Sequence, residues 1–414
     1  MKKQMCKILL GLCMSLVVAG CSGKQEEKVE ITMIHGWGST EEDHISMRQI
    51  YKDFEKEHPD IHLNLISMPS STDVISKVGD LLTVGEIPDI VFTGGDGRET
   101  VYQFMVEKGY ATDLIPYIQK DEEFLKTVSD VIMDSWVTAE GKLYTLSDVL
   151  LMGGYWYNEE IFKKAGIREV PKTWDDWFVA FEKIVNLNQD VAPIVLDANH
   201  ISYLMTVILA NEDVGQLKDV KGKTINIHTP AFEEMIRKMQ KIAEYAKLAG
   251  NYNYLDTLES FNQGKSAIYI NGVWANSMID PDLKVSYASF PSDNGKGIAT
   301  RSACVGYILG NTGDAKRMEA SVEFLKYMLS DPVAKRILEQ TGQVPSNPNI
   351  SIKELDCSER MRQSVECVEN AGLIIETPEN LWNLGQKKEY GDNFILYLQN
   401  KITEKEFRSR LSWM

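Results

Sequence analysis

The amino-acid sequence predicts an α/β protein that folds into two lobes. Short runs rich in β-branched residues alternate with amphipathic segments, starting with a strand over residues 29–33, a helix over 41–56 and a strand over 61–66. This alternation favours sheets with right-handed crossover connections. The chain has 414 residues, more than one hydrophobic core usually holds, so two lobes are expected.

The next segments continue the alternation, with a helix over residues 74–82 and a strand over 89–93. Residues 39–42 (Ser-Thr-Glu-Glu) offer a capping box after the first strand, and Thr173 with Asp176 offers a second. Farther along, apolar residues recur at helical spacing and predict buried helix faces. They are Phe232, Met235, Ile236, Met239, Ile242, Ala243 and Ala246, and then Met318, Val322, Leu325 and Leu329.

The N-terminal segment predicts export and lipid attachment. Three lysines precede an apolar run over residues 8–20, as in a secretory signal, and this run is shorter than the ~20 residues that cross a bilayer as a helix. The sequence Val-Ala-Gly-Cys that ends at Cys21 resembles a bacterial lipobox. We therefore predict a signal peptide over 1–20, an acyl lipid such as palmitate on Cys21, and a polar tether over 21–29. The protein would lie on the extracytoplasmic face of the cell membrane.

The charge of the chain argues against nucleic acid as a partner. The net charge is −16 and becomes −19 without the three lysines of the predicted signal peptide, whereas affinity for nucleic acid rests on Lys and Arg side chains. Cys304, Cys357 and Cys367 remain after cleavage and lipidation, and an odd number gives no disulfide framework. Because residues 358–371 are predicted to be helical, Cys357 and Cys367 would lie ~15 Å apart. We predict mostly buried thiols.

Motifs for cofactors and catalysis are incomplete or absent in the sequence. Residues 36–41 (Gly-Trp-Gly-Ser-Thr-Glu) lack the third glycine of a dinucleotide fingerprint, and residues 264–266 (Gly-Lys-Ser) lack the first glycine of a P-loop. The six histidines show no zinc-binding spacing, and no Gly-x-Ser-x-Gly segment occurs. We expect no cofactor, no metal and no catalytic residue. A glycosidase needs only two suitably spaced carboxylates, so that alternative stays open.

Two side chains stand directly after predicted strands. Trp37 follows the first strand and Asp96 follows the third. Ligands of open α/β sheets bind outside the carboxyl ends of the strands. A local packing role would fit either residue alone equally well, and their shared position is what indicates a binding site.

Two longer blocks resemble one protein family. Residues 157–167 (Tyr-Asn-Glu-Glu-Ile-Phe-Lys-Lys-Ala-Gly-Ile) with 171–177 (Pro-Lys-Thr-Trp-Asp-Asp-Trp) form the first block. Residues 261–275 (Phe-Asn-Gln-Gly-Lys-Ser-Ala-Ile-Tyr-Ile-Asn-Gly-Val-Trp-Ala) form the second. Both are similar to blocks of the family 1 extracellular solute-binding proteins of ABC importers, which include the maltose- and oligosaccharide-binding proteins. Weaker likeness extends over nearly the whole mature chain.

The resemblance implies a type II periplasmic-binding-protein-like fold, in which two α/β lobes are joined by three chain crossings and close on a ligand by a hinge motion. The crossings would fall near residues 142–146, Ile298 and Pro345. The first lobe would comprise residues 30–142 with 296–345, and the second 143–295 with 346–414.

The resemblance also implies site residues. Asp96 matches a carboxylate that bonds sugar hydroxyls in the maltose-type proteins, and Trp274 matches an aromatic platform. Trp382 falls near another platform, with core packing as the alternative. Asn199 and His200 match a ligand-facing loop of the second lobe.

The chain departs from the maltose-type pattern at two points. Leu151 stands where those proteins have a glutamate, and the nearest carboxylate is Asp148. The first-strand loop offers Trp37, Ser39 and Glu41 in place of an Asp-Lys pair. The resemblance therefore implies a carbohydrate ligand without implying maltose in particular.

The residue types suit a neutral sugar. Ionised carboxylates accept from equatorial hydroxyls in charge-assisted bonds of ~1.5–3 kcal/mol, and tryptophan covers the apolar C–H faces of a pyranose. We expect Asp96 and Glu41 to accept from hydroxyls. We expect Trp37, Trp156 and Trp274 to provide stacking surfaces.

The sequence therefore predicts a monomeric, lipid-anchored receptor that binds a carbohydrate, foremost an oligosaccharide, and delivers it to the transmembrane subunits of an ABC permease without catalysis. The first alternative keeps the fold and changes the ligand to a non-sugar solute, such as a polyamine or a phosphorylated compound. Arg98 and Arg301 are the arginines expected near the cleft, and they give a phosphate little support. The second alternative is a lipid-anchored enzyme that degrades glycans.

Overall fold

The structure is a computed structural model that describes residues 28–93, 98–187, 190–218, 226–248, 254–381 and 384–411. The predicted signal peptide, Cys21, Asp96 and Trp382 lie outside the described residues and stay predictions. Among the described residues, no helix combines the length and the apolar character that crossing a bilayer requires.

The described strands and helices alternate along most of the chain. The strands are β1 (Val29–His35), β2 (Ile61–Ser67), β3 (Ile90–Thr93), β4 (Val149–Asn158), β5 (Ala192–Leu196), β6 (Ala246–Leu248), β7 (Ser266–Gly272), β8 (Val285–Ala288), β9 (Ile298–Ser302), β10 (Gly306–Leu309), β11 (Val344–Pro345) and β12 (Leu373–Ile375). The first nine helices are α1 (Glu42–Glu57), α2 (Ser71–Thr83), α3 (Arg98–Glu107), α4 (Ile115–Lys120), α5 (Glu122–Thr127), α6 (Asp130–Trp136), α7 (Glu159–Lys164), α8 (Trp174–Val185) and α9 (Ala198–Asp213).

The remaining helices belong mostly to the second half of the chain. They are α10 (Gly215–Lys218), α11 (Pro230–Ala243), α12 (Tyr254–Asn262), α13 (Ala315–Leu329), α14 (Asp331–Thr341), α15 (Glu359–Glu369), α16 (Pro378–Leu381), α17 (Leu384–Leu398) and α18 (Glu404–Arg410). Short 3-10 helices span Val273–Ser277 and Ile352–Glu354. The predicted order of the first five elements, β1, α1, β2, α2 and β3, is confirmed.

The smaller sheet has four strands in the order β10-β3-β1-β2. β1 pairs in parallel with β2 and β3, and β10 pairs antiparallel with β3. Because parallel strands share one carboxyl edge, the carboxyl ends of β1 and β3 lie at the same edge of this sheet.

The larger sheet has the order β12-β9-β4-β7-β5-β6, with β8 and β11 also paired to β4. β4 is ten residues long and lies antiparallel to β7, β8 and β9. β5 and β7 are parallel, so the segments that follow them, residues 197–200 and the 3-10 helix Val273–Ser277, leave the sheet at one edge.

The chain passes between the two sheets after β3, after β9 and after β10. β9 pairs with β4, where Arg301 lies opposite Met152, and therefore belongs to the larger sheet. The second passage thus follows Ser302, downstream of the predicted position near Ile298. Near the first passage, Leu146 forms an isolated bridge with Tyr307 of β10. The limits of the two lobes themselves remain a proposal.

Hydrophobic residues are buried on both faces of each sheet. The smaller sheet packs against α1 and α13 through Ile50, Phe54, Phe324 and Leu325 on one face, and against α2 through Val74 and Val78 on the other. In the larger sheet, α8, α9 and α11 cover one face. α15 covers the other face through Met361, Val365 and Val368. The predicted apolar stripe of α11 faces the core that α8 and α9 also line, through Phe232, Met235, Ile236, Met239 and Ile242.

One of the two predicted capping boxes is confirmed. Thr173 accepts from the backbone N–H of Asp176, whose carboxylate accepts from the backbone N–H of Thr173. The box at residues 39–42 is wrong, because Glu41 occupies the cap position of α1 and makes no side-chain cap bond. Ser39 is instead drawn into the preceding loop, where its hydroxyl accepts from the backbone N–H of Glu41.

The described part of the chain contains no disulfide, as predicted. Cys304 is buried, whereas Cys357 and Cys367 are partly exposed, so the prediction of mostly buried thiols is wrong for these two. α15 covers Glu359–Glu369 and lies within the helix predicted over residues 358–371.

Candidate ligand-binding site

The loop after β1 carries Trp37 and is held by two neighbouring side chains. The backbone N–H of Trp37 donates to Nδ1 of His35 at 3.1 Å. The guanidinium of Arg48 on α1 donates to the carbonyl oxygens of Trp37 and Ser39, the latter at 2.9 Å. These bonds fix the backbone on both sides of the Trp37 Cα atom.

Gly38 lets this loop lie directly against the segment that follows β2. A Cβ atom at this position would lie 2.4 Å from the carbonyl oxygen of Met68, closer than van der Waals contact allows. The backbone N–H of Met68 also donates to the carbonyl oxygen of His35 at 2.8 Å. Any side chain at residue 38 would therefore displace backbone.

The Trp37 ring is partly exposed and partly packed. Its centroid lies 5.5 Å from that of Phe92, and His44 meets it edge-on at 4.9 Å. Beside it, the hydroxyl of Ser39 donates to Oε2 of Glu41 at 3.3 Å, and the Glu41 side chain is 72% exposed. The loop therefore presents an aromatic ring with an accessible carboxylate next to it.

His35 is neutral in this arrangement. Nδ1 accepts from the backbone of Trp37, so the ring proton is on Nε2, which lies 3.0 Å from Oγ of Ser67. Burial, together with the positive charge of Arg48 and the nearby His44, lowers the pKa of His35 to about 4. The hydrogen bond that holds Trp37 is thus present at neutral pH.

Glu41, Asp43 and His44 place ligand-type atoms within 4.8 Å of one another. The backbone N–H of Ser39 donates to Nδ1 of His44 at 3.2 Å, so its ring proton is on Nε2, which faces Glu41 at 3.6 Å. A metal at Nε2 would require the other tautomer and would oppose the Ser39 bond. The cluster therefore fits hydrogen bonding better than metal ligation.

Trp274 lies on the 3-10 helix Val273–Ser277, directly after the carboxyl end of β7, and we call this segment the Trp274 helix. Val273 and Ala275 are buried, whereas Trp274 is partly exposed. The indole lies over Gly272, where a Cβ atom would fall 1.7 Å from Cζ3 of the ring. Only glycine at residue 272 leaves this place for the ring.

Trp156 was expected to stack on a ligand, and the structure corrects this expectation. Its side chain on β4 is fully buried. The indole N–H donates to the carbonyl oxygen of Gly272 at 3.0 Å, and the ring meets Tyr287 at 4.7 Å. It therefore supports the Trp274 helix from below and offers no surface to a ligand.

Asp148 was expected to contact the ligand, but it is 3% exposed and lies beside the first passage between the sheets. Its Oδ2 accepts from the hydroxyl of Tyr307 at 2.6 Å. The hydroxyl of Tyr51 lies 3.0 Å from the Tyr307 hydroxyl. Its carbonyl oxygen accepts from the backbone of Ser346 at 2.8 Å. Burial raises the pKa of Asp148 to about 6, although the Tyr307 bond opposes the shift. This carboxyl group joins chain segments and presents almost no surface to a ligand.

His200 and Asn199 follow β5, in the first turn of α9. His200 is 4% exposed, and its Nδ1 lies 2.8 Å from Oδ1 of Asp197. Burial alone would raise the pKa of Asp197, but the charge and hydrogen bonds of His200 outweigh it and lower that pKa. Asn199 is partly exposed. The structure thus leaves Asn199 accessible and commits His200 to a buried pair.

Arg301 lies on β9 beside the second passage between the sheets and is partly exposed. Within the described residues its guanidinium forms no ion pair or side-chain hydrogen bond. It can therefore donate to a ligand without first breaking a bond to such a residue. Its role in a ligand site stays a prediction.

A separate surface cavity lies away from these loops. It has a volume of about 530 Å³ and is lined by residues of β1, β2, the end of α2 and the start of α13, including Thr32, Leu81 and Arg317. The guanidinium of Arg317 there pairs with Asp89 at 2.5 Å. This cavity shares no lining residue with the Trp37 loop or the Trp274 helix.

Sequence reasoning missed the residues that hold the two tryptophan segments. Arg48 carries the Trp37 loop, and its place on the first helix gave no distinctive signal. Arg360 on α15 donates to Oδ1 of Asn276 at 2.6 Å and to its carbonyl oxygen at 2.9 Å. Eighty-four residues separate that pair, so no local pattern could connect them.

Two α/β sheets that the chain joins by three passages define a two-lobe binding protein of the type II periplasmic-binding-protein fold. A Streptococcus pneumoniae solute-binding protein in complex with the blood group A-trisaccharide has this fold, with a TM-score of 0.78 and 24% identity over 92% of this chain and 98% of that one. A Listeria monocytogenes ABC substrate-binding protein in complex with cycloalternan matches with a TM-score of 0.72 and 20% identity over 93% and 97%.

The chain belongs to the bacterial extracellular solute-binding protein family, whose model matches residues 37–335. The multiple sugar-binding protein of Streptococcus mutans is 23% identical over 79% of this chain and 79% of its own length. The arabinooligosaccharide-binding protein of Bacillus subtilis is 27% identical over 79% and 76%. The family resemblance of the sequence is thus confirmed.

Proposed function

We propose that this protein is a lipid-anchored receptor that binds a carbohydrate, foremost an oligosaccharide, between its two lobes and delivers it to an ABC permease. One observation carries the proposal: each sheet ends in a loop or helix that presents a partly exposed tryptophan, Trp37 in one and Trp274 in the other. Two aromatic surfaces on separate lobes would cover two faces or two units of a sugar.

The polar groups around these rings match hydroxyls. Glu41 is exposed beside Trp37, and Ser39, Asn199 and Arg301 are partly exposed at the other predicted positions. A few polar groups among aromatic surfaces is the usual composition of a small-ligand site. We include Asp96 and Trp382 in the proposed site on the family resemblance alone.

The names of the relatives agree with this ligand class. The multiple sugar-binding and arabinooligosaccharide-binding proteins are relatives over about four-fifths of the chain. Their sugars differ, so we propose the carbohydrate class and not one compound.

Closure of the lobes would couple binding to delivery. Ligand contacts that exist only in the closed state would shift the population toward it. Leu146, Asp148 and Ser346 lie where segments of the chain meet between the sheets, and we propose that the hinge lies there. A lipid on Cys21 would keep the receptor near its permease.

The first experiment is a thermal-shift screen of the mature chain, with Cys21 replaced, against mono- and oligosaccharides, spermidine and sugar phosphates. A ligand that binds only the folded state raises the melting temperature. We expect an oligosaccharide to give the largest shift, with stoichiometric binding by calorimetry and no product on prolonged incubation. A larger shift with spermidine or a phosphate, or turnover of the glycan, would refute the proposal.

The lipid is tested separately. Cells that express the full chain are fed an alkyne-tagged fatty acid, and the protein is compared with its Cys21→Ser variant. We expect label and membrane association only in the parent chain. Equal label in both would show that Cys21 is not the attachment site.

A further inference from the structure

Arg360 is a half-buried cation whose partners are unusual. Within the described residues it forms no ion pair. Its guanidinium donates to Oδ1 and to the carbonyl oxygen of Asn276. The guanidinium carbon lies 6.0 Å from the centroid of the Trp156 ring. Burial lowers the pKa of Arg360. The chain thus buries part of a charge to hold one uncharged residue.

The held residue belongs to the Trp274 helix. A 3-10 helix of five residues has poor hydrogen-bond geometry and little stability of its own. Its orientation must therefore come from contacts with the rest of the protein. Two such contacts lie at opposite ends of the helix. Trp156 donates to the carbonyl oxygen of Gly272, and Arg360 donates to Oδ1 of Asn276.

The same two contacts are linked to each other. The guanidinium of Arg360 lies near the Trp156 ring, so both ends of the helix are tied to one pair of side chains. The Trp274 indole lies against Gly272, at one end of this helix. An arginine suits this position, because one rigid guanidinium can donate to two acceptors in a fixed geometry.

We propose that Arg360 is a positioning residue for ligand binding: through Asn276 and Trp156 it sets the orientation of the Trp274 ring. The inference rests on the proposed function insofar as Trp274 receives a sugar. The orientation of the ring in the ligand-free protein does not depend on it.

The test combines Arg360→Gln with a matched control on the same helix. Arg362→Gln removes an arginine that donates to Glu359 and to the carbonyl oxygen of Leu355, and within the described residues it has no hydrogen bond or ion pair with the Trp274 helix. Both proteins are labelled with 5-fluorotryptophan, and the Trp274 signal is assigned from its loss in Trp274→Phe. Melting temperatures are recorded alongside.

We expect Arg360→Gln to shift or broaden the Trp274 fluorine signal without ligand, and Arg362→Gln to leave it unchanged. Sugar affinity should fall by about tenfold in Arg360→Gln. The loss should vanish in a Trp274→Ala background, because no ring remains to be positioned. Asn276→Asp, which keeps both acceptors, should retain the parental signal.

Two results would overturn the inference. One is an unchanged Trp274 signal in Arg360→Gln. The other is an equal loss of sugar affinity with and without Trp274, which would mark a general structural role. If the parent protein binds no sugar, the proposed function fails, but the fluorine signal still decides whether Arg360 positions the ring.

Discussion

The Trp37 loop and the Trp274 helix present the same kind of side chain at the ends of different sheets, yet they are held in different ways. Arg48 lies eleven residues from Trp37, and His35 lies two residues from it. The Trp274 helix depends on Trp156 and Arg360, 116 and 84 residues from their acceptors. The first platform is anchored locally and the second by long-range packing.

The anchors also differ in their response to pH. His35 accepts from the Trp37 backbone through a ring nitrogen that protonation would occupy. Neither indole nor guanidinium changes charge near neutral pH. Acid should therefore disturb the first platform and spare the second.

The largest expected effect is the acid response of His35. Its pKa is about 4 in the folded protein and about 6.5 in the unfolded chain, so both forms are neutral above pH 6.5. As the pH falls from 6.5 to 4, only the unfolded chain takes up the proton, and stability falls by ~3 kcal/mol. Urea unfolding of His35→Gln across this range should lack the loss. If the free energy of unfolding of His35→Gln fell with pH as steeply as that of the parent, His35 would not be the cause of the acid response.

Asp148 should give a trend of opposite sign and similar size. Its pKa is about 6 folded and about 3.8 unfolded, so its contribution is largest below pH 3.8. It falls by ~3 kcal/mol as the pH rises to 6, because the unfolded chain releases the proton first. Asp148→Asn should therefore show a steeper loss of stability on acidification than the parent. The same unfolding series checks this, and a shallower loss would contradict the assignment.

Alanine substitutions at Gly38 and Gly272 should distinguish the cost of displacing backbone from the cost of displacing a side-chain ring. Gly38→Ala pushes a methyl group against the carbonyl of Met68 and should cost ~2 kcal/mol of stability. The nearest atoms to the methyl group in Gly272→Ala belong to the movable ring of Trp274, so this change should cost less stability and mainly lower ligand affinity. Unfolding and calorimetry on both variants make the comparison. Equal stability losses would show that the Trp274 ring cannot yield.

Removal of either tryptophan ring should have the smallest effect on stability. It should mainly lower ligand affinity. Trp37→Ala and Trp274→Ala should each weaken sugar binding about tenfold or more, with calorimetry as the measure. Phe104→Ala provides a control, because Phe104 is an exposed aromatic of α3 that packs near Tyr110. If it weakens binding as much as the two tryptophan variants, neither tryptophan is a platform.

Much of the fold was predictable because its signals are local. The first five elements appear in the predicted order, and the Thr173 box caps α8 as expected. The box at Ser39 failed because a competing local bond, from the backbone of Glu41 to Ser39, uses the same hydroxyl. Short polar side chains offer several such bonds, and sequence does not rank them.

The candidate site was predictable only in part. Trp37 was expected from its place after the first strand and Trp274 from the family resemblance, and both are partly exposed in the structure. Trp156 and Asp148 looked equally available but are buried, because Trp156 packs against Tyr287 of β8 and Asp148 accepts from the hydroxyl of Tyr307. Exposure depends on which distant segments pack on a residue.

The sequence by itself determined the α/β class, the order of the first elements and the family, since periodicity and contiguous blocks carry that information. The tertiary structure decided which aromatic residues face solvent and which support them. It placed Trp274 over Gly272, Trp156 beneath that residue and Arg360 beside it. The physical reason is that a platform is built from long-range contacts, whose partners lie too far apart in the chain to leave a local pattern.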